Sequence, residues 1–75
     1  MLVRNLPDAC VFVLETDQNN VYLLSGDIDK EDKRAAYRIG SGVKGDWKLF
    51  ARPHREKIHG DCACIQLKVS FTVEK

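Results

Sequence analysis

The sequence predicts a small α+β domain, ββαββ, with an antiparallel sheet covered by one short helix. Three observations lead there. Two runs rich in β-branched and aromatic residues, CVFVLET and NVYLLSG, are separated by the turn formers DQNN. The stretch DIDKEDKRAAYRI carries its acids first and its bases last, the order that suits a helix dipole. From Cys62 to Val73 apolar residues alternate with polar or small ones, the period of a strand with one covered face. The alternative is an all-β small barrel or sandwich, in which residues 34–40 form a strand because Ala35, Tyr37 and Ile39 alternate with Ala36 and Arg38.

Residues 10–16 are apolar on both faces and read as a central strand. DQNN then turns the chain, and residues 20–26 return as the second strand of a hairpin. Over residues 28–39 the helix is preferred, because strong helix formers fill its middle. Asp27 or Asp29 would cap its start and Gly40 would follow its end. GSGVKGD, residues 40–46, reads as a glycine-punctuated loop. Residues 46–52 read as a strand ended by Pro53, with Trp47, Leu49 and Ala51 on one face and Trp47 directed to the core. PHREKIHGD reads as a polar connection. The last strand places Ile65, Leu67, Val69 and Phe71 on the covered face, and Cys62 and Cys64 on the polar one.

A chain of 75 residues is one domain, 1–75, near the lower limit for a self-sufficient core. Small scaffolds often lean on a metal, a disulfide or a second subunit, so a homodimer is one expectation. With 44% hydrophobic and 31% charged residues the composition is that of a folded globular domain. No run approaches the ~18 apolar residues of a membrane span. The first residues lack the apolar core and cleavage site of a signal peptide. Three cysteines are an odd number, which points to free thiols and a reducing, cytoplasmic setting.

The net charge of +1 conceals a division along the chain. Residues 1–32 carry seven acids against Arg4 and Lys30, leaving −5. Residues 33–58 carry eight bases against Asp46 and Glu56, leaving +6, and the remainder balances. Asp27, Asp29, Glu31 and Asp32 therefore form a candidate acidic surface for a basic protein partner. The DxD at Asp27 and Asp29 lacks the glycine and glutamate of a calcium loop. Arg38, Lys44, Lys48, Phe50, Arg52, Arg55 and Lys57 form a candidate basic-aromatic surface, suited to a protein partner or to nucleic acid.

His54, His59, Cys62 and Cys64 supply the four N and S ligands that zinc wants. All four come from one local stretch, however, whereas zinc sites usually join pairs from separate elements, so no metal and no cofactor is expected. No nucleophile, base and orienting group can be assembled from the motifs, so catalysis is not expected. The expected function is a non-enzymatic protein-interaction module, a stoichiometric regulator or inhibitor of a larger complex. Direct DNA or RNA binding through residues 33–58 is the alternative, and a small zinc-stabilised domain a weaker one.

Overall fold

The computed structural model describes residues 1–43 and 46–68. A single 3-10 turn, Val3–Asn5, precedes five strands: β1 Val11–Leu14, β2 Asp17–Ile28, β3 Lys33–Val43, β4 Asp46–His59 and β5 Cys64–Leu67. They form one antiparallel sheet in the order β4-β3-β2-β1-β5. Among the described residues there is no α-helix, so the α+β expectation is corrected and the all-β alternative fits.

The predicted helix over 28–39 fails for a local reason. The Asp29 carboxylate accepts the N–H groups of Glu31 and Lys33, at 2.9 and 3.0 Å, so it stabilises a turn in place of a first helical turn. Asp32 then adopts φ 61°, a left-handed conformation that no helix interior accommodates. From Lys33 onward the side chains alternate: Arg34, Ala36 and Arg38 face one way and Ala35 and Tyr37 the other.

Three connections that read as turn or loop in the sequence are also strand: DQNN opens β2 from Asp17, the chain turning instead at Glu15 and Thr16, and the other two lie in β3 and β4. The glycine stretch continues β3 to Val43, which pairs with Asp46 of β4. Gly40 is required there, because a Cβ would meet the Lys48 carbonyl oxygen at 2.7 Å. The polar PHREKIHGD continues β4 to His59, in unbroken register from Arg38↔His54 to Lys33↔His59. Pro53 does not end the strand. It sits in a bulge in which Phe50, Ala51, Arg52 and Pro53 stand opposite Ile39 alone. A proline is tolerated because β4 lies at the sheet edge.

The main core cluster lies on one face of the sheet, while Val13, which alternates with Phe12, and Val21 are buried outside it. Phe12, Tyr22, Leu24, Ala36, Ile58 and Cys64 pack together with Cys10, and Val3 and Leu6 from the N-terminal segment cover them. Phe12 and Tyr22 stack at 5.5 Å between ring centroids. The last-strand expectation is corrected at this point. Cys64 is 1% exposed and faces the core, whereas Ile65 beside it is 40% exposed. Leu67 is half-buried, Cys62 packs partly buried at the rim of the core, and Val69 and Phe71 lie outside the described residues. Trp47, expected in the core, is half-buried and donates its indole N–H to the Gln18 carbonyl at 2.8 Å.

The outermost strands, β4 and β5, follow one another in the chain through residues 60–63 alone. The end of β4 at His59 and the start of β5 at Cys64 therefore lie at the same end of the sheet. The N-terminal segment seals that end: the Val3 N–H donates to the Cys62 carbonyl, the Arg4 N–H to Gly60 and the Cys64 N–H to Met1. Leu2 also bridges to Ala63, so the start of β5 is covered on its outer side.

Arg34 pins this cover in place. It is 3% exposed, and its guanidinium donates to the carbonyls of Gly26 (2.8 Å), Val3 (3.1 Å) and Leu6 (2.7 Å) and to the Asp8 carboxylate (3.1 Å). A planar fork of five donors is the group able to serve so many acceptors at once. In the sequence Arg34 is one base among the eight of the basic segment, and the fold makes it the polar centre of the core.

Candidate functional site

The acidic and basic segments were expected to form two surfaces of opposite sign. The fold instead closes much of one against the other at the β2–β3 turn. Asp29 pairs with Lys57 at 2.9 Å, Asp32 with Arg4 at 2.8 Å, Glu31 with Lys33 at 3.9 Å and Asp27 with Arg34 at 3.8 Å. The Lys57 hydrogen bond and the backbone N–H groups hold the Asp29 carboxyl at about 2, well below the usual range for aspartate. The same partner pushes the Lys57 ammonium up. The candidate acidic residues are thus each matched internally, and Lys57 leaves the basic set.

The remaining basic-aromatic candidates divide over two faces of the sheet. Arg38 lies opposite His54 on the core side, in the row that continues through Tyr22 and Phe12. Phe50, from the β4 bulge, packs there: the Arg38 guanidinium sits 5.6 Å from its ring centroid and the His54 ring meets it edge-on at 5.9 Å. Glu56 joins the group, its Oε2 lying 3.6 Å from Arg38 Nε. That distance makes an ion pair without a hydrogen bond, and both atoms are shielded from solvent. Burial, followed by the Glu56 charge, pushes the Tyr22 hydroxyl up.

Arg55 stands on the opposite face, beside Tyr37 on β3. Lys48 pairs with Ser41 near the hairpin end, and Arg52 occupies the bulge. Lys48, Arg52 and Arg55 are exposed, and among the described residues they form no ion pair. Two exposed apolar side chains accompany them, Val43 at 73% and Leu49 at 49%. Lys44 lies outside the described residues. Three free cations and two apolar side chains therefore line β4 and the hairpin end. The sequence hides this feature, because alternation alone groups Leu49 with Trp47 on a covered face.

The zinc candidates do not converge. His54 and His59 lie five residues apart on one strand, about 17 Å by strand geometry. Cys64 is buried in the core. Burial pushes the Cys64 and Cys10 thiols up, which disfavours the thiolate that a metal requires. His59 instead meets Asp32 and Asp61, with ligand atoms within 4.8 Å of one another. Arg4 lies among these groups and pairs with both carboxylates, occupying with its own charge the place a cation would take. A cavity of about 320 Å³ opens beside the β2 bulge, lined by Asp8, Ala9, Leu24, Ser25, Gly26 and Asp27. Both of its acids already face Arg34.

Comparison of the chain with protein families, with curated proteins and with solved structures finds no match.

Proposed function

We propose that this protein is a non-enzymatic protein-binding module that acts stoichiometrically, as a regulator or inhibitor of a larger complex, through the outer side of β4. The observation that carries this reading is the asymmetry of charge pairing. The candidate acids are matched internally at the β2–β3 turn, while Lys48, Arg52 and Arg55 along β4 remain exposed without an ion pair among the described residues, and Val43 and Leu49 are exposed nearer the hairpin end. Exposed cations on a strand that also carries exposed apolar surface suit a partner with an acidic, partly apolar surface, where they steer encounter and set orientation. Three free thiols fit a reducing, cytoplasmic setting. No helix of the described residues is long and apolar enough to cross a membrane.

The nucleic-acid alternative draws less support. Its cations are divided between two faces, and Phe50, its stacking candidate, already carries Arg38 on its face and His54 at its edge. Pull-down of the tagged protein from its host, with and without nuclease, tests the choice. Partners should survive nuclease and be lost in the Lys48→Glu/Arg52→Glu variant. Removal of every partner by nuclease, together with micromolar binding to a DNA or RNA oligomer at physiological salt, would reverse the ranking.

A further inference from the structure

The two edges of the sheet are treated differently by the fold. β5 is four residues long, and the N-terminal segment covers the outer side of its start. β4 is fourteen residues long, and among the described residues only β3 pairs with it. Natural edges are commonly blunted by prolines and bulges, because unpaired N–H and C=O groups invite another strand. β4 carries both devices, but only at Phe50–Pro53. From His54 to His59 the strand is regular and free of proline, and among the described residues its outer side has no main-chain partner until the His59 carbonyl, which accepts the Cys62 N–H, and Gly60, which the N-terminal segment engages.

We infer that His54–His59 of β4 is a strand-addition site for an extended acidic segment of a partner protein. This rests on the binding-module reading above and names its mode. The charge pattern identifies the occupant. Arg55 and Lys57 share one face of β4, Arg55 without an ion pair among the described residues and Lys57 already bonded to Asp29. A second copy added antiparallel along this edge would set Arg55 and Lys57 against their own counterparts, an unfavourable like-charge arrangement. The β5 strand, CIQL, offers no acid to match them. A strand with carboxylates at alternate positions places one directly across from Arg55, and its main chain takes up the open ladder groups. Arg55 thus selects the sign of the added strand and opposes self-association.

The test is a titration with a short synthetic peptide alternating Glu and Val, followed by backbone amide hydrogen exchange. Alternate amides within His54–His59 should gain protection. Arg55→Glu should weaken binding by about two- to fivefold, the scale of one cross-strand charge pair. Arg55→Gln, which removes the charge without reversing it, should fall between. The Lys–Val counterpart should not bind, and the protein alone should sediment as a monomer. Binding without protection at His54–His59, equal binding of the Lys–Val peptide or of Arg55→Glu, or no binding of the Glu–Val peptide would overturn strand addition. If strand addition fails while nuclease-resistant partners are still lost in Lys48→Glu/Arg52→Glu, the binding-module reading stands alone. If nuclease strips every partner, that reading falls, and the exchange data judge the edge by themselves.

Discussion

Replacing Arg34 should cost more than any other single polar change in this domain. Arg34→Ala leaves three main-chain carbonyls, those of Val3, Leu6 and Gly26, without their donor. An unsatisfied buried acceptor costs about 1–3 kcal/mol, so the three together set a range of about 3–9 kcal/mol. The exposed carboxylates of Asp8 and Asp27 rehydrate and add little. Water entering beside the N-terminal segment offsets part of the carbonyl loss, which brings the expected cost to about 3–5 kcal/mol, the range for removing one partner of a buried charged network. A domain of 75 residues has about 4–11 kcal/mol in total, so the variant should be barely folded. Urea unfolding followed by Trp47 fluorescence measures this, since Trp47 is held on β2 by its bond to Gln18. Arg34→Lys keeps the charge but cannot reach three carbonyls at once, and should recover only part of the loss. A cost below about 1 kcal/mol for Arg34→Ala, at unchanged denaturant slope, would show that the N-terminal segment is held by Val3 and Leu6 packing alone.

Cys64→Ser introduces a hydroxyl into the core and should destabilise by about 1–3 kcal/mol, whereas Ile65→Thr at the exposed neighbouring position should stay within about 0.5 kcal/mol, both read from urea midpoints. The reverse order would return Ile65 to the covered face. Because Asp29 is lowered in the folded state, its pairing stabilises above the unfolded value and is lost as pH falls from about 4 toward about 2. Asp29→Asn should therefore flatten that limb of the stability–pH curve, and an unchanged limb would remove Asp29 as its source. In the native protein Cys62 should react with a thiol reagent first, with Cys10 and Cys64 released only on unfolding, because burial shields both and raises them further from the thiolate. Simultaneous reaction of all three thiols at mildly alkaline pH would contradict their placement.

Local sequence determined those parts of the protein whose signals are local. β1 was legible because a strand covered on both sides reads as a continuous apolar run, and β2 because of the apolar residues Val21–Leu24, although the turn formers DQNN, read as preceding it, are its own first residues. The alternation of β5 was legible as well, but its orientation was not. Which side of an alternating strand is buried depends on where another segment lands, and here Val3 and Leu6 land on the side of Cys64. The charge order over 28–39 resembled a helix because dipole and propensity arguments see only neighbours. The outcome was decided by Asp29 turning the backbone and by β2 and β4 supplying ladder partners on both sides of β3. Arg34 could not be recognised as a core residue, since its acceptors Val3 and Leu6 lie 31 and 28 positions away. The candidate site follows the same rule. The composition supplied a basic segment and an acidic one, but hairpin register brought Lys57 onto Asp29, 28 positions distant, and the two-residue period of β4 sent Arg55 and His54 to opposite faces. A charge's place along the chain is written in the sequence; whether it is neutralised, buried or left free on an edge is set by which strands become neighbours.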